Sequence, residues 1–413
     1  MDTTKLFEMA LGFNDPWYVK DVAFDVAARV LTLKVDFRAG TRFAYPGEDG
    51  LHPVYDTVTK SLRHLNFFQH NCFLEVRIPR VELPNGLVRQ VEPDWVGKLD
   101  GFTLLFEAIV LAFSRVMTFT AVSELLNISV HRVMAVCGAY VDSAVAQADY
   151  SHVNSVAIDE TSRARGHNYV TLVADSEQRS VIFVTEGKDA DAVKDFAADL
   201  SAHNGNPEAI QSVSIDMSPA FIKGVAANLP NARITFDKFH VIAHASAAID
   251  KTRRLEQKND PELKGMRWKL LKNYDSLNRD DRREMDSLIA QLSVKRTARA
   301  WSYREQLREI LDRKQINVVN TMLSQWCTNV MRSKVEPMKD VARMIRSHFD
   351  GIVAWSQTQQ TNGFLEAING LFQAAKRGAR GYGRFSTIRT VIFLRLGKLD
   401  FSKINPHIQT LPT

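Results

Sequence analysis

Cysteine is scarce in this chain, with three in 413 residues, and Cys72, Cys137 and Cys327 stand too far apart to suggest a paired framework. That excludes a disulfide-stapled scaffold and suits a reducing compartment. Long apolar runs are absent too. The longest candidate, Phe102 to Val116, is broken by Glu107, Ser114 and Arg115, and falls short of the roughly 20 residues that a bilayer span needs. The first ten residues carry acids and no apolar stretch of signal length, so secretion is not expected. Repeats and low-complexity tracts are missing. A cytoplasmic protein without a membrane partner is the expectation.

What is present is ample core material, 45% hydrophobic against 24% charged residues, in a chain long enough for two to four units. Charge is unevenly spread. Residues 1–250 hold 22 Lys and Arg against 31 Asp and Glu, whereas 251–350 hold 23 against 14 and 376–403 hold 8 against 1. A basic surplus confined to the last two-fifths of the chain is an electrostatic footprint for a polyanion, although charged helices are also ordinary solvated faces.

Hydrophobic periodicity divides the chain into five stretches. Residues 1–98 read as a small strand-rich module, with alternation in Val22–Phe37 and Cys72–Val81 and turns at Pro46-Gly47 and Pro84-Asn85-Gly86. Residues 99–150 turn helical. A stripe of Phe102, Leu105, Phe106, Ile109 and Phe113 is followed by a short helix at Ala121–Leu126, and a second helix opens at Val130 behind Ser129 as N-cap. The pair reads as a DNA-binding helix-turn-helix presenting Ser129, His131 and Arg132, or as an ordinary helical hairpin.

Residues 151–242 alternate strands and helices. The spacing predicts strands at Val153–Ile158, Val170–Ala174 and Val181–Thr185, a helix over Asp189–His203, a strand at Val213–Ile215, a helix over Ala220–Leu229 and a strand at Arg233–Phe236. A three-strand meander followed by helix, strand, helix and strand is the order of an RNase H-like α/β fold with a mixed five-stranded sheet. Residues 243–355 form a basic helical insertion, with Trp268, Trp301 and Trp326 as packing anchors. Residues 356–413 return to the core with an amphipathic helix over Gly363–Lys376 and an Arg- and Gly-rich turn from Arg377 to Arg384.

In such a sheet the first and fourth strands are neighbours, so Asp159 and Asp216, each expected at a strand end, come together 57 residues apart. Glu366 follows on the amphipathic helix after the insertion. Three acids converging on two hard cations is the requirement for metal-dependent phosphoryl transfer. Singly, each acid has a plainer explanation: a turn or N-cap aspartate, a solvated helix glutamate. Glu160 and Asp237 are alternative ligands, and His240 reads as a structural histidine near the site.

The residues Val156-Ala157-Ile158-Asp159-Glu160, Gly166-His167-Asn168-Tyr169, Ile215-Asp216-Met217-Ser218-Pro219-Ala220-Phe221 and Phe236-Asp237-Lys238-Phe239-His240-Val241 resemble the DDE transposases of bacterial insertion sequences, in the ISL-three branch. So do Arg63-His64-Leu65-Asn66-Phe67-Phe68-Gln69-His70, Thr361 to Asn369, and Ala375 to Tyr382, in the same order along nearly the whole chain. The resemblance implies a catalytic and metal-binding triad of Asp159, Asp216 and Glu366 with two Mg2+ or Mn2+ ions. Water would first cleave the transposon end, and the freed 3′-hydroxyl would then attack target DNA. It further implies double-stranded DNA as partner, both terminal inverted repeats and target, a homo-oligomer on paired ends, and a nucleoid-associated location.

Contacts to phosphate would come from Lys376, Arg377, Arg380 and Arg384, beside Ser129, His131 and Arg132. The family also carries an N-terminal zinc finger. Here Phe43 to Asp49 and Leu83 to Leu87 stand where its cysteine pairs belong, and only His64, His70 and Cys72 cluster nearby. A structural zinc site needs about four ligands, so the module is expected to fold on its apolar core without zinc. Rival readings are a domesticated or inactive DNA-binding relative and a structure-specific nuclease on the same core.

Overall fold

A computed structural model describes residues 3–164, 168–358 and 363–410, the side chains of Ala164, Gln357, Thr358, Glu366 and Thr410 excepted. Gly166, His167, Thr361 and Asn362 of the motifs above fall outside the described residues. The class is mixed α/β, and the chain divides into two compact units, residues 1–147 with 377–413, and residues 148–376.

The first unit opens with helix α1 (Thr3–Leu11), where strand-like pattern was expected. Its Phe7 packs on the core of a six-stranded sheet. Strands β1 (Trp17–Asp25), β2 (Val30–Phe37), β3 (Arg42–Phe43), β4 (His52–Phe67), β5 (His70–Glu82) and β6 (Val88–Gln90) build it in the order β1-β2-β5-β4-β3, with β6 also on β5. Strict alternation explains the pairing. Leu31, Leu33 and Val35 of β2 and Cys72, Leu74, Val76 and Ile78 of β5 turn to one buried face.

Helices α2 (Leu104–Val116), α3 (Phe119–Leu126) and α4 (Val130–Ala146) follow, each started by a capping hydroxyl: Thr103, Thr118 and Ser129 accept from the backbone N–H of Phe106, Ala121 and Arg132. Asn127, in the left-handed region at φ 52°, ends α3. A buried polar chain locks this bundle. The Glu107 carboxylate accepts from the N–H groups of Lys98 and Leu99 and from Tyr140 Oη (2.7 Å). Asn405 donates to Tyr140 Oη (3.0 Å) and to the Leu104 carbonyl (2.7 Å). Burial raises the Glu107 carboxyl above its usual value.

The second unit is built on a five-stranded sheet, β7 (Ser155–Ala164), β8 (Asn168–Asp175), β9 (Ser180–Glu186), β10 (Ser212–Ile215) and β11 (Arg233–Phe236), in the order β11-β10-β7-β8-β9. The β7–β8–β9 meander is antiparallel, and β10 and β11 add in parallel. Parallel addition needs crossovers, and helices α5 (Ala190–Ala202) and α6 (Pro219–Asn228) supply them. Val193, Phe196 and Leu200 of α5 and Phe221 and Val225 of α6 join Val156, Ile158, Val213 and Ile215 in one core.

Past β11 the chain is helical among the described residues of this unit: α7 (Lys238–Glu256), α8 (Arg267–Leu271), α9 (Arg279–Ile289), α10 (Arg296–Leu311), α11 (Ile316–Arg332), α12 (Glu336–Ser347), α13 (Phe349–Thr358) and the greater part of α14 (Gly363–Gly378). Trp301 and Trp326 are buried anchors, the latter donating to the Tyr303 carbonyl. Trp268 is not: it is 67% exposed, under the Arg267 guanidinium. The last helix, α15 (Phe385–Leu396), packs on α4 and α2. Residues 377–413, expected with the catalytic core, therefore lie in the first unit. The buried stripe of Ile388, Val391, Ile392 and Leu394 finds its apolar partners there.

Candidate active site

Strand register decides which acids meet. In the parallel β7–β10 pair, Ser155, Val156 and Ala157 lie beside Ser212, Val213 and Ser214, an offset of 57 residues. Asp216 follows Asp159 by the same interval, so the two occupy equivalent positions two residues beyond the last paired residues, and Asp216 is near enough to act electrostatically on Asp159. In β10–β11, Ser212 to Ile215 lie beside Arg233 to Phe236, and Asp216 and Asp237 each follow the last paired residue of their strand. Two residues before each aspartate the side chains are small, Ala157, Ser214 and Thr235, all buried.

Asp159 was expected to end its strand. Instead β7 continues to Ala164, because β8 goes on pairing where β10 has stopped. Asp159 is mid-strand and Asp216 sits just past a strand end. Asp216 Oδ1 accepts from the Ser218 N–H (2.9 Å), which shapes the turn into α6 with Pro219 at its first position. Asp237, fully buried, caps α7 by accepting from the Phe239 N–H (2.9 Å).

Helix α14 lies along β7 on the side of Asp159 and Thr161. Asn369 Nδ2 donates to Asp159 Oδ2 (2.5 Å), Gln373 Nε2 to Thr161 Oγ1 (2.8 Å) and to the Ser162 carbonyl (3.1 Å), and Lys376 Nζ to the same carbonyl (2.7 Å). Glu366 stands on this helix, one turn before Asn369; its own side chain lies outside the described residues. Sequence reasoning passed over Asn369 and Gln373. The signal was present in their spacing, since 369, 373 and 376 share a helical face.

Burial pushes the Asp159 carboxyl up to about 6; the Glu160 N–H bond and His240 pull it down, and Asp216 and Glu160 push it up further. Glu160 is also raised, by burial first and against the pull of Lys188, whose Nζ is 3.8 Å from it. His240, in the first turn of α7, is partly exposed and contributes positive potential at Asp159.

The candidate DNA contacts are placed as follows. Ser129, His131 and Arg132 are exposed in the first turn of α4. Arg132 is engaged, however: its guanidinium donates to the Asp100 carbonyl and lies 4.0 Å over the Phe102 ring. Arg377, Arg380 and Arg384 are exposed, whereas Lys376 is held to β7. In the N-terminal module, His64 faces Cys72 across β4 and β5, and its Nδ1 is 2.9 Å from Thr103 Oγ1. Burial lowers the His64 ring to about 4 and raises the Cys72 thiol to about 11. The His70 ring packs on Phe24 at 4.5 Å. Among the described residues no group of three or more His, Cys, Asp or Glu side chains is arranged to hold a metal. No helix of the described residues is long and apolar enough to cross a membrane.

Comparison with known proteins gives the class first. A family model described as a transposase matches residues 156–392, and one described as the helix-turn-helix domain of transposase family ISL3 matches residues 91–141. The first spans more than half the chain, from β7 to α15. The chain belongs to the ISL3 family of insertion-sequence transposases. Among its relatives is the transposase for insertion sequence element IS1001 of Bordetella parapertussis, 25% identical over 80% of this chain and 82% of the other. The transposase for insertion sequence element IS1557 of Mycobacterium tuberculosis is 25% identical over 92% of this chain and 93% of its own.

Proposed function

We propose that the chain binds the terminal inverted repeats of an insertion sequence and catalyses metal-dependent cleavage and strand transfer, with Asp159, Asp216 and Glu366 as its ligands. The observation that supports this is the 57-residue register offset of the β7–β10 pair, which Asp159 and Asp216 share just beyond its last paired residues. Two aspartates, with a glutamate on the helix that carries Asn369, would offer the all-oxygen kind of donor set that suits Mg2+ or Mn2+. Burial, with a smaller push from Asp216, raises the Asp159 carboxyl, and a nearby positive charge would favour its ionised form.

Two such ions, when bound, supply activation of the attacking oxygen and stabilisation of the leaving one. The chain's own part is positional. Asn369 holds Asp159 by one oxygen, the Ser218 N–H holds Asp216, and Asp159 lies in β7 while Asp216 follows β10 directly. In the first step the oxygen of water forms a bond to phosphorus and the 3′ oxygen of the transposon end leaves. In the second, that 3′-hydroxyl forms the bond and a target-strand 3′ oxygen leaves. Ser129 and His131 on α4 read or grip the repeats, and the exposed Arg377, Arg380 and Arg384 contact phosphates. The active form is a homo-oligomer on paired ends.

Replacing Asp216 by Asn or Glu366 by Gln is expected to abolish cleavage and leave end-binding intact; wild-type cleavage in either variant overturns the assignment. Joining of pre-cleaved 3′ ends to a target duplex separates this reading from a nuclease that cuts only.

A further inference from the structure

We propose that Asn369 is a positioning residue of the divalent-cation site: its amide nitrogen holds Asp159, and its amide oxygen accepts a hydrogen bond from the cation's water shell. This inference rests on the carboxylate reading above. The geometry begins with the 2.5 Å bond from Asn369 Nδ2 to Asp159 Oδ2. An ionised carboxylate only accepts hydrogen bonds, so the amide must turn its nitrogen toward Asp159. That fixes where the oxygen points. Asn369 Oδ1 is buried and has no hydrogen-bond partner among the described residues.

A buried acceptor left unpaired is unfavourable, and native structures rarely keep one. The side chain cannot relieve it by swinging out with its helix, because Gln373 and Lys376 bind the next two turns of α14 to β7. Nor do the neighbouring acids help: Asp159, and Asp216 near it, offer only negative oxygens to a carbonyl. The missing partner is a donor of positive character. Hydrated Mg2+ or Mn2+ provides one, since such ions keep several waters whose O–H groups are strongly polarised donors. Groups that hold a ligand by one atom and the ion's surroundings by another tune affinity even without touching the metal.

The test is Mn2+ binding to the full chain without DNA, by titration calorimetry and by the electron paramagnetic resonance signal of free Mn2+, so that no turnover is needed. Asn369→Ala is expected to weaken Mn2+ binding by about tenfold or more. Its melting temperature in EDTA should stay near wild type, because the missing bond and the relieved oxygen offset each other. Asn369→Asp keeps an oxygen at the cation but sets two carboxylates face to face. It should melt lower than wild type in EDTA at neutral pH and regain the difference with Mn2+. Wild-type affinity in Asn369→Ala overturns the proposal, as does a failure of Mn2+ to rescue Asn369→Asp. Asp159→Asn is the reference. If wild type binds no Mn2+, or Asp159→Asn binds it equally well, the carboxylate reading falls and this inference with it. If Asp159→Asn weakens binding and Asn369→Ala does not, only the role of Asn369 falls.

Discussion

Replacing Asp159 by Asn should stabilise the metal-free protein at neutral pH. The Asp159 carboxyl rises from 3.8 to about 6 on folding, mainly through burial. A raised acid binds more protons folded than unfolded. Its penalty is therefore absent below pH 3.8, grows between the two values, and is complete above about 6. At about 1.4 kcal/mol per pH unit, a shift of this size corresponds to roughly 3 kcal/mol, or about 2 kcal/mol allowing for partial exposure.

Asparagine keeps the shape and removes the charge. Its oxygen still accepts the Glu160 N–H, and its nitrogen can pair with Oδ1 of Asn369, which has no partner among the described residues, once that amide turns over. For a unit of this size the gain corresponds to roughly 4–8 °C in melting temperature. Calorimetry in EDTA across a range from about pH 3.5 to about pH 8 reads it directly. The difference between variant and wild type should open between about pH 4 and about pH 6 and stay constant above. Saturating Mg2+ should reverse the order, since the cation stabilises only the intact carboxylate pair. A variant that melts below wild type at neutral pH in EDTA, or a gap that ignores pH, refutes the electrostatic account.

Two further expectations concern the first unit. Tyr140→Phe removes the hydroxyl between Glu107 and Asn405 and leaves a buried carboxylate short of a donor. It should cost about 2–3 kcal/mol, read by urea unfolding, and an unchanged midpoint counts against the buried chain. Substituting Arg377, Arg380 and Arg384 together by Gln should weaken binding to all DNA sequences alike. The slope of log affinity against log salt should flatten by about 0.9 for each phosphate no longer neutralised; an unchanged slope removes these arginines from the interface.

The order of elements in the second unit was legible in the chain, because alternation, helical spacing and helix-start residues such as Asp189 and Pro219 are local signals. That order also foretold which two strands neighbour each other, and hence that Asp159 and Asp216 are close.

Pairing partners decided the rest. Strand β7 runs on past Asp159 because its length is set by β8, about which the sequence of β7 says nothing. Residues 377–413 pack in the first unit because the apolar face of α15 has complementary surface on α4 and α2, while its own composition suits any core. Trp268 reads like its buried counterparts and is left on the surface. The bond from Asn369 to Asp159 spans 210 residues of chain. Local spacing carries the period of a helix or strand, but which distant group meets which is settled only when the chain closes on itself.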